Sequence, residues 1–166
     1  MSRRGTIDGL QFARDGQVVS GSIGIDSLPR LAKMGCDAAT LQYAVRGAES
    51  PERRPSLAIE IAGRVQLACQ RCLGPLEIPL AVTSELELAG TQAEIDMADD
   101  EVDRILATSS VDVAALVEDE AILALPMAPV HERCETRIGQ ADPAKVSPFA
   151  ALAGLRRGGV GPTGSP

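Results

Sequence analysis

Two stretches in the middle of the chain alternate between apolar and polar residues. Apolar side chains occupy the odd positions over residues 57–67 and the even positions over residues 78–88. A period of two predicts β-strands that each have one apolar face. Because only a short segment separates them, we expect the two strands to pair as an antiparallel hairpin.

A second pattern, with apolar residues spaced three and four apart, follows at residues 113–125. This spacing predicts a helix, with Asp112 as its N-cap and Pro126 just beyond its end. The helix offers a cover for the apolar face of the hairpin. The predicted fold class is therefore α+β: an antiparallel β-sheet centred on a long hairpin and covered by one main helix.

Shorter elements are predicted before the hairpin. Asp15-Gly16 is a favoured two-residue turn, so residues 10–25 are predicted to form a hairpin of their own. Residues 27–34 predict a short helix that ends at Gly35. The other short elements are a strand marked by Leu41, Tyr43 and Val45, a loop over residues 47–55 and a strand over residues 102–107.

These elements make up one expected domain over residues 10–157, with an apolar patch near its end at residues 148–155. It contains a mobile acidic loop over residues 90–101. We expect residues 1–9 to be a flexible N-terminus and residues 158–166 to be a disordered tail.

Composition narrows the function classes. Apolar residues make up 45% of the 166 residues, yet only Phe12, Tyr43 and Phe149 are aromatic, so the core is aliphatic. This argues against RNA-binding modules that stack bases on exposed rings. The net charge is −7, and residues 85–120 hold 12 acidic residues and only one basic residue. Arginine pairs at residues 3–4, 53–54 and 156–157 could contact phosphate, with solubility as the alternative explanation.

No segment is apolar for the length of a membrane span, and the polar N-terminus does not resemble a secretory signal. We therefore expect a cytoplasmic protein. In that compartment cysteines are thiols or metal ligands rather than disulfides.

Cys69 and Cys72 form a Cys-x-x-Cys pair in the turn of the long hairpin, which is typical of a zinc knuckle. Thioredoxin-type redox chemistry would place such a pair at a helix N-terminus, so metal binding ranks above redox. His131 and Cys134 would complete a Cys3His set. The alternative is that they are ordinary loop residues and the thiols stay reduced. Cys36 is predicted to be a small buried hydrophobic residue.

The acidic run Glu118, Asp119 and Glu120 stands on the predicted helix. Successive helical residues point about 100° apart, so these carboxylates do not converge and are best explained as a solvated face. A nuclease that uses them is the weaker alternative. No nucleophile–base set and no nucleotide-binding loop is present.

Three segments, taken in order, resemble motifs of the YceD family, the large ribosomal RNA subunit accumulation proteins. They are residues 69–73, 117–131 and 147–155, and shorter likenesses lie at residues 21–23, 28–31 and 101–106. The resemblance runs from about residue 10 to residue 157. It marks Arg71, Glu118, Asp119 and Glu120 as motif positions of unknown role.

The resemblance implies a non-enzymatic factor that supports synthesis, processing or stability of the large-subunit (23S) ribosomal RNA. Its partners would be a precursor of that RNA or a large-subunit ribosomal protein, with no membrane and no small-molecule substrate. Some relatives carry more cysteines after the helix, whereas this chain has only His131 and Cys134 there. A zinc-binding or thiol-redox protein that uses Cys69 and Cys72 is the alternative function.

Overall fold

The two alternating stretches form the longest strands of the protein. The computed structural model describes residues 5–97 and 102–134, and within them the fold is α+β with a largely antiparallel sheet and few helices. The strands are β1 (Thr6–Ile7), β2 (Val18–Gly24), β3 (Ala38–Glu49), β4 (Pro55–Ala68), β5 (Pro75–Ala89), β6 (Arg104–Leu106) and β7 (Val111–Asp112). The helices are α1 (Gly9–Arg14), α2 (Pro29–Lys33), α3 (Gln92–Asp96) and α4 (Val113–Leu123).

β4 and β5 form the long antiparallel hairpin that the alternation predicts. Their register runs from Ser56 opposite Glu87 to Ala68 opposite Pro75. The odd positions of β4 face the core, with Leu57 and Ile59 fully buried, while Glu60 and Arg64 are exposed on the other face. The period of two therefore fixes which face of the hairpin is buried.

The hairpin lies inside a five-stranded sheet of order β2-β3-β4-β5-β6. β2, β3, β4 and β5 pair antiparallel, and β6 joins β5 in parallel. Gly63 is paired with Leu41, and a Cβ built on Gly63 would lie 2.1 Å from the carbonyl oxygen of Thr40. Glycine is therefore required where the backbone of β3 approaches Gly63 of β4 so closely.

The predicted hairpin over residues 10–25 is wrong in its first half. Residues 9–14 form α1, because the Asp8 side chain accepts the amide of Gln11 and caps the helix. Asp15 caps the C-terminal end of α1, and Gly16 follows with a φ of +59°. The Asp-Gly pair thus ends a helix instead of joining two strands. The chain then enters β2.

α4 covers the inner face of the sheet together with α1 and α2. Asp112 accepts the amides of Ala114 and Ala115 at 2.9 and 3.3 Å, so it is the predicted N-cap. The buried core combines strand residues with residues from these helices, among them Phe12, Leu28, Leu31, Val113, Leu116 and Val117. It is aliphatic apart from Phe12 and Cys36, with Tyr43 packed at its margin.

Several predicted boundaries shift. The loop before β4 is shorter than residues 47–55, since β3 continues to Glu49. The acidic segment contains α3, and its residues 98–101 lie outside the described part of the chain, as do the apolar patch at 148–155 and the tail at 158–166. Residues 6–7, assigned from sequence to the N-terminal segment, pair with β7.

None of the helices described here has the length and apolarity to cross a membrane.

Candidate metal centre

The turn between β4 and β5 meets the segment that follows α4. Cys69 and Cys72 lie in this turn, and His131 and Cys134 lie in that segment. Two contacts hold the pieces together: the amide of Gln70 donates to the carbonyl of Pro129 at 2.8 Å, and Arg71 Nη2 donates to the carbonyl of His131 at 2.9 Å. The turn is itself closed by the amide of Leu73, which donates to the Cys69 carbonyl at 2.9 Å.

The four side chains form a cluster of one donor atom each, all within 4.8 Å of one another. Cys69 Sγ lies 3.5 Å from Cys134 Sγ, and His131 Nδ1 lies 3.4 Å from Cys72 Sγ and 3.8 Å from Cys134 Sγ. Zinc bonds of tetrahedral geometry imply edges of about 3.8 Å between two sulfurs and about 3.5 Å between sulfur and nitrogen. These three of the six donor–donor distances agree with the tetrahedral edges to within about 0.4 Å, so the cluster can accept a zinc ion.

The orientation of His131 supports the same fit. Its Nε2 lies 3.0 Å from the carbonyl oxygen of Pro75, which can only accept, so Nε2 carries the proton. In the neutral ring, Nδ1 therefore presents its lone pair to the thiols. Zinc-ligating histidines commonly donate their other ring N–H to a backbone carbonyl, and this contact fixes the ring.

Hydrogen bonds favour the thiolate form at Cys69. Desolvation opposes ionisation there, but the amides of Cys72, His131 and Arg71 donate towards the sulfur and lower its pKa to about 5. Burial also opposes ionisation of Cys134, whereas the hydrogen bond from Arg71 helps to lower its pKa. The hydrogen bond to Cys134 raises the pKa of His131. The amide of Gly74 acts to lower the pKa of Cys72, but desolvation and the neighbouring Cys69 and Cys134 leave that pKa raised. The polypeptide thus stabilises negative charge at Cys69 and Cys134, where a cation would bind.

Cys36 lies apart from this cluster. It is buried, its Sγ donates to the carbonyl of Ala38 at 3.1 Å, and burial raises the pKa of its thiol. It is the small buried residue that the sequence predicts.

The solvated-face interpretation of the acidic run on α4 is wrong for two of its three residues. Glu118 and Glu120 are buried, and only Asp119 is exposed. Glu118 accepts the amide of Arg30 at 2.7 Å, the Nε of Arg30 at 2.9 Å and the amide of Leu31 at 3.0 Å. Glu118 therefore anchors α2 to α4 and lies in no catalytic cluster within the described residues.

The two arginines at residues 53 and 54 have different environments. Arg54 lies 3.9 Å from the buried Glu87 and 3.8 Å from Glu94, whereas Arg53 is exposed. Glu87 also binds Arg104 at 3.0 Å. Local sequence pattern does not reveal this ion-pair network around the buried Glu87, because Arg54, Glu87 and Arg104 lie on separate segments of the chain. The pairs at 3–4 and 156–157 lie outside the described residues.

The family to which this chain belongs takes its name from the accumulation of ribosomal RNA, not from an enzymatic reaction. A family model described as "Large ribosomal RNA subunit accumulation protein YceD" matches residues 57–156, so the chain belongs to the YceD family. The match includes the long hairpin, the four clustered residues and α4. No solved structure matched the chain.

Proposed function

We propose that the protein is a non-enzymatic factor of the cytoplasm that supports accumulation of the large-subunit (23S) ribosomal RNA by binding its precursor or a large-subunit ribosomal protein. The membership in the YceD family carries this proposal. The described part of the chain supports a binding role, since its one cluster of potential metal ligands is a Cys3His set of the kind that serves structural zinc.

We assign a structural role to that cluster. Cys69, Cys72, His131 and Cys134 would hold a zinc ion, which would supply four strong bonds and no open coordination position for a substrate. The chain's own residues prepare the site: Pro75 orients the His131 ring, and Arg71 joins the turn to the segment after α4. The centre would fasten residues 129–134 to the tip of the hairpin.

The functional proposal is tested in a strain that lacks the gene. Mature and precursor large-subunit RNA are quantified together with small-subunit RNA, and purified protein is tested for binding to a large-subunit RNA transcript and to large-subunit proteins. Restoration of the large-subunit RNA by the intact chain, together with binding to one of these partners, is expected. Equal loss of both subunit RNAs would contradict it.

Thiol-redox chemistry is the second candidate, and the low pKa of Cys69 with Cys134 Sγ at 3.5 Å favours it. The two candidates predict different results for Cys69→Ser. A structural zinc site predicts loss of zinc and of stability. A redox function predicts unchanged stability and loss of a measurable thiol–disulfide activity.

A further inference from the structure

An open cavity lined by two arginines lies where α1 meets the turn between β3 and β4. Its volume is about 430 Å³, and its lining includes Arg14 from the last turn of α1 and Arg53 from the β3–β4 turn. Glu49 is the one carboxylate in this lining. The cavity therefore carries an excess of positive charge in a chain whose net charge is −7.

Both arginine side chains are available to a ligand. Across residues 5–97 and 102–134, the observed ion pairs and side-chain hydrogen bonds include neither guanidinium. The neighbouring Asp15 carboxylate accepts from Gln17 Nε2 at 3.0 Å. Arg54, next in sequence to Arg53, is held instead by Glu87 and Glu94.

The backbone at Arg53 adds an independent observation. Arg53 has a φ of +61°, in the left-handed region where glycine or asparagine is usual. Its amide donates to the Ser50 carbonyl at 2.8 Å, and the amide of Ser50 donates to the Arg54 carbonyl at 2.8 Å, so the tight turn imposes this conformation. An arginine held there at a conformational cost points to a role for its side chain.

We propose that the Arg14–Arg53 cavity binds a backbone phosphate of the large-subunit ribosomal RNA. The inference rests on the proposed function and adds to it the surface that touches the RNA. Guanidinium groups match phosphate oxygens by paired hydrogen bonds, and two of them at one open cavity form a local anion site. A local contact of this kind is what an acidic protein needs in order to bind a polyanion.

The test is the salt dependence of binding to a large-subunit RNA transcript. Wild type is compared with the double variant R14Q/R53G and with the control K33Q/R64Q, which removes two positive charges from exposed positions outside the cavity. Loss of the one phosphate contact should reduce the slope of log K against log salt by about 0.7 to 0.9. The control should keep the wild-type slope.

The single variant R53G distinguishes an RNA-contacting role of Arg53 from a structural role. Glycine relieves the left-handed strain, so the thermal midpoint should stay constant or rise by about 2 °C, while RNA affinity falls about fivefold. A drop in the midpoint with unchanged RNA affinity would show a structural role and overturn the proposal.

The outcomes distinguish this inference from the proposed function. If wild type fails to bind the transcript, RNA binding itself is wrong, and the cavity proposal falls with it. If wild type binds and R14Q/R53G keeps its slope, the cavity proposal alone is wrong. The cavity proposal is also overturned if inorganic phosphate saturates the cavity without competing with RNA. It is likewise overturned if R14Q/R53G still binds RNA as wild type does but no longer binds a large-subunit ribosomal protein.

Discussion

Glu118 on α4 caps the first turn of α2 by accepting the backbone amides of Arg30 and Leu31. The preceding residue, Leu28, offers no side-chain cap, so a carboxylate from a distant helix takes this role. The same carboxylate accepts the Nε of Arg30, and Arg30 also pairs with Asp119 and donates to the Ala115 carbonyl. This contact ties the N-terminal part of the fold to α4.

Replacing Glu118 by Ala should lower the free energy of unfolding by about 2 kcal/mol, because the buried amide of Leu31, the partly buried amide of Arg30 and one guanidinium donor lose their acceptor. Asp119→Asn is the control, since Asp119 binds the same arginine from an exposed position and should cost less than about 1 kcal/mol. Urea unfolding measures both. Equal effects would contradict the capping role.

The contribution of Glu118 should depend on pH. Desolvation would raise the pKa of Glu118, but the hydrogen bonds from Leu31 and Arg30 outweigh it and leave the pKa below its usual value. A depressed folded-state pKa gives stability that is complete above the unfolded pKa of about 4.3 and is lost as the pH falls through the folded value.

The difference in stability between wild type and Glu118→Gln is the quantity to measure, because it cancels the titration of the other carboxylates. It should be constant from pH 8 to pH 5 and shrink below about pH 4. A difference that grows on acidification would mean that the folded-state pKa is raised.

Purified protein should contain one zinc ion per chain, and a chelator should expose the thiols of Cys69, Cys72 and Cys134 and lower the thermal midpoint. Cys69→Ser should abolish stoichiometric zinc. Cys36→Ser is the matched control, since Cys36 lies outside the cluster, and it should leave the zinc content unchanged. Atomic absorption measures the zinc content, and thiol titration measures which cysteines the metal protects. Equal zinc in both variants would contradict the assignment.

Gly63→Ala should destabilise the sheet by about 2 kcal/mol or more, because the added Cβ would lie 2.1 Å from the carbonyl oxygen of Thr40. Gly24→Ala makes the same change in β2, where the nearest atom, the carbonyl oxygen of Ala39, is 3.6 Å away. This control should cost less than about 1 kcal/mol. Chemical denaturation of the two variants measures the contrast.

Local pattern predicted much of the fold and the main cluster. Alternation predicted β4 and β5, the 3.6-residue period predicted α4, and Cys-x-x-Cys in a turn pointed to His131 and Cys134. The strand and helix signals suffice because each depends on residues close in sequence, whereas the approach of His131 and Cys134 to Cys69 and Cys72 is seen only in the structure. The prediction failed at residues 10–14, where the cap at Asp8 outweighed a favoured turn pair.

The buried carboxylates could not be predicted in the same way. Glu118 and Arg30 are separated by 88 residues, and Glu87 and Arg54 meet only after the sheet has formed. From sequence alone, a charged residue on a helix is predicted to face solvent, because burial of an ion is favourable only beside a partner of opposite charge. The position of that partner is known only from the folded structure.

The Cys3His cluster joins positions about 60 residues apart, so a metal there would act as a reversible cross-link on the chain. A zinc ion that binds the folded chain and not the unfolded one adds stability that grows as RT ln(1 + [Zn]/Kd) with free zinc. Through this cluster, the folded fraction of the protein would follow the cellular zinc supply, and large-subunit RNA accumulation would become sensitive to metal limitation.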